Sequence, residues 1–509
     1  MRDPVEWPTR DVLCHRAETT PDRTAVVDVA TNREWTYRAF DAIVDGVTAR
    51  LETLLDSHDA TEPDTPTRVA MLASTRIGFF AALHAVWRAG HVAAPVDTQL
   101  TSGEVEARLD RLDPALLVCE SATEATALSA AGCPVVSLDA PANDIVDGLQ
   151  PGPASDGETT HPARWHRDDT AVVLFTSGTT GDPKGVRLTL GNLVASATAS
   201  AFRLGVDPDD RWLDCLPAYH MGGLAPAVRC ALSGTTLVVQ QSFAADATAD
   251  ALASYGVTGV SLVPTQLKRL LDSGWTPAPP LETVLLGGAP ANEKLLERAL
   301  DADVPVSPTY GMTETASQVT TAMPDVVAAH PERVGQPLVS TTVTVVGEKG
   351  RPVEAGETGE LVVDGPTVTP GYLDESTTER AFCEYGLHTG DVGYRDGNGR
   401  LWVLGRADDT IITGGENVHP AEVEDTLREH PAVTAAAVVG LADEEWGERI
   451  GALVVTTEGE SVALKPFVRE RLADYKVPKT VGFTASLPRT ASGTVDRDAV
   501  RTRLGTRSS

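Results

Sequence analysis

Residues 176–186 read TSGTTGDPKGV. Thr176, Ser177, Thr179 and Thr180 carry hydroxyls that can donate to anionic oxygens. Gly178, Gly181 and Gly185 let the backbone come close to an anion, so that successive N–H groups form a nest. Lys184 adds a point charge. The chemistry of such a loop is holding phosphates. It is not a Walker A loop, which needs Gly-Lys followed by Ser or Thr; here Pro183 precedes Lys184 and Gly185 follows it. An ordinary Gly/Ser turn is the plain alternative, and a weak one. Lys184 is one of only seven lysines in 509 residues, and the loop opens off the apolar run Ala171–Phe175.

The elements that must position this loop are short apolar runs alternating with amphipathic stretches. Strands are expected at Arg68–Ser74, His91–Asp97, Ala115–Glu120, Pro134–Asp139 and Ala171–Phe175, with helices at Gly78–Gly90, Gly103–Leu112 and Ala122–Gly132. Beyond the loop the helix Asn192–Phe202 is followed by strands at Thr235–Gln240, Val257–Val263 and Leu281–Leu286. Helices at Ala247–Tyr255, Thr265–Leu271 and Asn292–Leu300 alternate with them. This alternation predicts an α/β class with parallel layers. Residues 334–404 change to short Gly-punctuated strands, an all-β segment. After Gly405 a small α+β region follows, with helices at Ala421–His430, Val462–Ala473 and Thr494–Leu504. The expected division is a body at 1–404 with a β-rich part at 334–404, a hinge at 405–410 and a C-terminal domain at 411–509.

Composition excludes several classes. With 42 basic and 72 acidic residues the net charge is −30. Such a charge opposes a nucleic-acid surface and adhesion to anionic membranes. At 42% hydrophobic and 22% charged residues, the chain is no disordered acidic solvator. Acidic excess with few lysines predicts a surface screened by molar salt, hence a halophile's cytoplasm. The start shows no signal peptide and no apolar run of membrane-spanning length exists, so the expected location is cytoplasmic, without membrane insertion. Six dispersed cysteines without a CxxC pair predict free thiols, and no Cys/His cluster or HExxH predicts a structural metal. Homo-oligomerisation is left open.

TSGTTGDPKG resembles the phosphate loop of the acyl-adenylating superfamily, which includes acyl-CoA synthetases, luciferases and peptide-synthetase adenylation domains. The likeness covers nearly the whole chain. WTYRAFDA and AGHVAAPVD resemble early core motifs, YGMTET an adenine and magnesium motif, HTGDVGY with GRADD a ribose pair, and LPRTASGTVDR the final catalytic motif. The resemblance implies that a small carboxylic acid is joined to AMP at the expense of ATP and then passed to coenzyme A. Two anions must meet in the first step, so cations, a metal and N–H donors have to converge. It implies nucleotide binding by Thr176, Ser177, Gly178, Thr179 and Gly181, with Thr180 and Lys184 acting on the phosphates. Gly287, Gly288, Ala289 and Pro290 would let a purine approach, Tyr310 would stack on it, and Gly311 and Thr313 belong to the same motif. Glu314 is the expected Mg²⁺ ligand, a hard oxygen donor. Asp391 is expected on the ribose, with Arg406 reaching ribose and phosphate. Asp408 resembles the hinge position, and Gly414 and Gly415 the loop lining a pantetheine tunnel.

Residues 212–229 read WLDCLPAYHMGGLAPAVR. Pro217–His220, Arg229, Leu285–Gly288 and YGMTETASQ together resemble the o-succinylbenzoate–CoA ligases of menaquinone synthesis. That acid has two carboxylates, a ketone and an aromatic ring. One carboxylate is activated, so Arg229 would neutralise the other, with Ser317 and Gln318 donating and His220 in the acyl pocket. A surface helical arginine and a satisfied core histidine are the plain alternatives. Another aromatic or medium-chain acid is the alternative substrate.

The final motif departs from the pattern. Where the superfamily has Ser-Gly-Lys, this chain has Ser492-Gly493-Thr494. Loss of one such cation costs about 10²–10³ in rate. Arg489, Arg497, Lys476 and Lys479 are candidate substitutes. Otherwise adenylation is slow, or the chain is an adenylate or acyl binder with weakened ligase activity.

Overall fold

The computed structural model describes residues 11–57, 66–150, 162–177, 183–291, 293–330, 334–413, 416–443, 446–457, 463–490 and 494–505. The chain divides into two units, one formed by residues 1–342 and 363–387, the other by 343–362 and 388–509.

Two sheets build the first unit. One has the strand order Gly371–Tyr372, Pro183–Thr189, Thr170–Ser177, Val92–Pro95, Arg68–Leu72, Leu116–Cys119, Val135–Ser137, Asp147–Gly148. The other runs Gln336–Pro337, Ser317–Thr321, Val306–Met312, Thr283–Leu286, Gly259–Leu262, Arg211–Asp214, Thr236–Val239, Thr24–Asp28, Arg33–Thr36. The central strands Arg68–Leu72, Leu116–Cys119, Gly259–Leu262 and Thr283–Leu286 are parallel to both neighbours and almost wholly buried, which is why they read as largely apolar runs. A core holding Val69, Val172, Trp212, Val239 and Leu285 joins strands of both sheets with the helices Tyr37–Ser57, Ile77–Arg88, Leu190–Leu204 and Met221–Ser233. The α/β class with a large body and a C-terminal domain is therefore as the alternation predicts.

Local chemistry sets the boundaries. The helix Leu190–Leu204 starts where Thr189 ends a strand, because Thr189 and Asn192 form a capping box with bonds of 3.0 and 2.9 Å. The expected all-β segment contains one helix, Glu375–Ala381, capped by Asp374. It buries none of its residues, so no apolar stripe announces it in the sequence.

In the second unit the strands Glu416–Val418, Ile411–Thr413, Gly447–Thr456 and Val433–Asp443 form an antiparallel sheet, with Thr480–Phe483 parallel to Gly447–Thr456. The helices Pro420–Arg428, Leu464–Arg469 and Arg497–Gly505 accompany it. Among the described residues no helix is long and apolar enough to cross a membrane.

Candidate active site

The segment expected to hold phosphates spans two antiparallel strands. Thr170–Ser177 pairs with Pro183–Thr189 in a register that puts Thr176 opposite Lys184. Gly178, Thr179, Thr180, Gly181 and the side chain of Ser177 lie outside the described residues. Lys184 Nζ stands 5.8 Å from the ring centroid of Tyr372. Gly185 is fixed by packing, since a Cβ there would come within 2.6 Å of Leu373 Cδ1.

The carboxyl ends of the parallel strands supply the next groups, as is usual for ligand sites in open α/β sheets. After Thr283–Leu286 come Gly287 and the exposed Gly288, Ala289 and Pro290, with Gly288 at φ +76°. Tyr310 and Gly311 end the strand Val306–Met312. Thr313 opens the single turn Thr313–Thr315 that carries Glu314. The turn closes through Ala316 and Ser317 at φ 51° and 119°, backbone that costs L residues of order 1–3 kcal/mol each. Gly311 is obligatory beneath it, because a Cβ would lie 1.8 Å from the Ser317 carbonyl. Glu314 is 7% exposed, and its Oε1 accepts from the Tyr372 hydroxyl at 3.1 Å. Among the described residues no group of three or more His, Cys, Asp or Glu could hold a metal. A single carboxylate of this kind suits Mg²⁺ that takes its other ligands from phosphates and water.

A small cavity lies between the helices Leu190–Leu204 and Met221–Ser233 and the Glu314 turn. Its walls include Leu193, Ser196, Ser200, Met221, Val228, Arg229, Ser317 and Gln318. Ser196 Oγ donates to the Ala316 carbonyl at 2.6 Å, tying helix to turn. Arg229 is only 8% exposed. Its Nη1 donates to Ser200 Oγ at 3.0 Å, and its guanidinium carbon sits 3.8 Å from the Trp212 ring centroid. Its buried Nη2 has no hydrogen-bond partner. Burial lowers its pKa, and the nearby acidic groups only partly oppose that. Gln318 Nε2 donates to Thr321 Oγ1 at 3.0 Å. His220 stands exposed just before the helix and outside the cavity lining; partial desolvation lowers its pKa against the pull of Asp97. The helix starts tightly there, since a Cβ on Gly223 would meet the Pro217 carbonyl at 2.5 Å. Sequence reasoning passed over Asp214, a fully buried carboxyl on the strand below Arg229, which burial raises well above the usual carboxylate range. An acid following Trp212 and Leu213 at the end of a four-residue strand was its only signal.

In the second unit, Asp391 pairs with Arg406 across the strands Gly386–Arg395 and Leu401–Arg406. Arg406 Nη1 donates to the Thr389 carbonyl at 2.8 Å and to Asp391 Oδ1 at 3.3 Å. Gly390, at φ +70°, lets that guanidinium lie against the backbone. Glu360 braces the turn by accepting from Gly390 N at 3.1 Å and contacting His388 Nδ1 at 2.9 Å. Gly414, Gly415 and the side chain of Asp408 lie outside the described residues. Thr494 Oγ1 lies 2.7 Å from Thr490 Oγ1. Arg497 is engaged by Glu424 at 2.9 Å and Asp409 at 3.1 Å, and Lys476 by Glu422 at 2.6 Å. Lys479 Nζ lies 3.5 Å from the ring centroid of the exposed Trp446.

The model of the AMP-binding enzyme family matches residues 13–373, and that of the AMP-binding enzyme C-terminal domain matches 422–494. The chain belongs to the AMP-binding enzyme family. It is 36% identical over 493 residues to a 2-succinylbenzoate–CoA ligase of Bacillus cereus, covering 96% of this chain and 97% of the relative. Among solved structures it resembles the o-succinylbenzoate CoA synthetase (MenE) of Bacillus subtilis in complex with the acyl-adenylate intermediate OSB-AMP. There the TM-score is 0.86 at 33% identity, covering 97% and 98% of the two chains. The same Bacillus subtilis enzyme in complex with ATP and magnesium ion matches with TM-score 0.85 at 32% identity, covering 97% and 99%.

Membership of the AMP-binding enzyme family makes Thr494 a departure with structural context. Two of the candidate substitutes are engaged by carboxylates, Arg497 by two and Lys476 by one. Trp446 under Lys479, and Tyr372 on Glu314, are groups that the sequence motifs did not single out. Both arise from contacts between segments far apart in sequence.

Proposed function

We propose that this AMP-binding enzyme is an ATP-dependent 2-succinylbenzoate–CoA ligase, acting through an acyl-adenylate. The observation that carries the reading is Arg229: a buried guanidinium with an unspent N–H donor, facing a cavity that also presents Ser317 and Gln318. A buried guanidinium whose N–H has no acceptor, and whose nearby acidic groups only partly offset its burial, is costly unless an anion completes it. The spectator carboxylate of a two-carboxylate acid is such an anion, and a fatty acid is not.

In this reading Lys184 and the loop hydroxyls hold the ATP phosphates while Tyr310 and residues 287–290 receive the adenine. Glu314 holds Mg²⁺, which offsets charge on the phosphates. His220 borders the acyl group, and Asp391 and Arg406 engage the ribose. Residues 405–410 serve as hinge for residues 411–509, with Gly414 and Gly415 along the pantetheine path. Trp446 and Lys479 offer coenzyme A a ring face and a cation for its nucleotide end. The catalysis takes place in a cytoplasm.

The test is acid-dependent ATP–pyrophosphate exchange, then coenzyme A consumption, with o-succinylbenzoate, benzoate, succinate and medium-chain fatty acids. o-Succinylbenzoate is expected to support the fastest exchange. Preference for any monocarboxylate overturns the two-carboxylate reading. Exchange without thioester formation supports the weakened-ligase alternative that Thr494 raises.

A further inference from the structure

Tyr372 lies on the two-residue strand Gly371–Tyr372, opposite Val186 on the second strand of the phosphate hairpin. It is buried, and its O–H donates to Glu314 Oε1 at 3.1 Å across 58 residues of sequence. Its ring face is turned to Lys184 Nζ at 5.8 Å from the centroid, within cation–π range. One side chain therefore touches both the phosphate-loop cation and the acidic turn.

The segment leading to Tyr372 is fastened at successive points. Asn192 Nδ2 donates to the carbonyls of Pro366 at 2.9 Å and Val368 at 2.8 Å. Thr369 N donates to the Glu314 carbonyl at 2.8 Å. Thr369 Oγ1 donates to the Arg187 carbonyl at 2.5 Å and accepts from Gly371 N at 3.0 Å. Residues 366–372 thus strap the phosphate hairpin to the Glu314 turn through backbone groups on both sides. A tyrosine serving only the core would need its ring there, but not an O–H aimed at a carboxylate 7% exposed.

The geometry points to Tyr372 as a positioning residue for the metal–ATP site. Its O–H fixes Oε1 of Glu314 and with it the orientation of the carboxylate toward the metal, while its ring face orders Lys184. This rests on the reading of Glu314 as the Mg²⁺ carboxylate.

The test is binding of Mn²⁺ with the α,β-methylene analogue of ATP, read from the electron paramagnetic resonance of free Mn²⁺. Tyr372→Phe keeps the ring and removes the O–H. It is expected to weaken Mn²⁺–analogue binding about tenfold, the size of a charge-assisted hydrogen bond. In exchange assays the Mg²⁺ requirement should rise while KM for the acid stays put. In a Glu314→Gln background, Tyr372→Phe should add no further loss. Thr369→Val, which loosens the strap and leaves the tyrosine intact, should weaken binding in the same direction. If Glu314→Gln itself leaves Mn²⁺ binding unchanged, the metal reading of Glu314 falls, and this inference with it. If Glu314→Gln weakens binding but neither Tyr372→Phe nor Thr369→Val does, only the role of Tyr372 is overturned. That role is equally overturned if Tyr372→Phe lowers the thermal midpoint alone.

Discussion

Two buried arginines of the first unit have opposite surroundings. Arg88, 1% exposed, sits in a nest of acids. It donates to Asp11 at 2.7 Å, Asp41 at 2.6 Å and Asp45 at 2.7 Å, and Asp11 also contacts His84 at 3.0 Å. Burial pushes the Arg88 pKa down, but these carboxylates outweigh it and raise it. Arg229 has a neutral serine, a tryptophan face and an unpartnered Nη2, and its pKa is lowered. The first cation is completed by the chain itself and holds three segments together. The second is left incomplete, which is how a protein keeps a receptor for an anion. Arg497 in the second unit belongs with Arg88: its charge is spent on Glu424 and Asp409.

Changes to these groups can break or sharpen the contrast. The largest effect is expected from Arg88→Met. It leaves the buried Asp11 with His84 alone and Asp41 without its cation, and should cost about 3–5 kcal/mol in urea unfolding. A loss below about 1 kcal/mol would put Arg88 in the same class as Arg229. Next comes Thr494→Lys. If Arg497 and Lys476 are spent as their ion pairs indicate and no other cation serves, restoring the charge should speed adenylation about 10²–10³-fold, measured in single turnovers. An unchanged rate would mean that another cation already serves.

Arg229→Leu follows. Stability should hold or rise, because an incompletely paired buried charge is removed. Exchange with o-succinylbenzoate should fall about 30-fold or more, the loss of a buried charge-assisted pair, while benzoate exchange changes little. Equal losses for both acids would remove Arg229 from specificity.

Acid should separate the sites further. Burial raises the Asp11 pKa, but the hydrogen bond and charge of His84 and the charge of Arg88 outweigh it and leave it well below the usual range. A depressed carboxylate gives stability present above its unfolded pKa of about 3.9 and lost as pH falls toward the folded value. Urea midpoints should therefore drop below about pH 4, and Asp11→Asn should flatten that slope. The smallest effect per site is expected from salt. Surface repulsion in a chain of net charge −30 is screened, so stability should rise from about 50 mM to about 3 M KCl, with the cost of Arg88→Met unchanged because that nest is buried. Equal stability at both salts would remove the halophilic reading of the composition.

Strand–helix alternation was legible because it is local: buried parallel strands read as apolar runs. The helix Glu375–Ala381 was not, since it buries no residue. Asp214 was passed over because one carboxyl in a strand looks the same whether it meets water or the core.

The sequence by itself determined the order of motifs, the α/β class, the place of Lys184 and the absence of a lysine at Thr494. Those depend on residue type and spacing along the chain. Only the tertiary structure decided that Arg88 is satisfied and Arg229 is not, that Arg497 is spent, and that Tyr372 reaches Glu314. Burial and pairing are set by segments tens or hundreds of residues apart. The free energy of a charge depends on which of them surround it, and no local pattern encodes that.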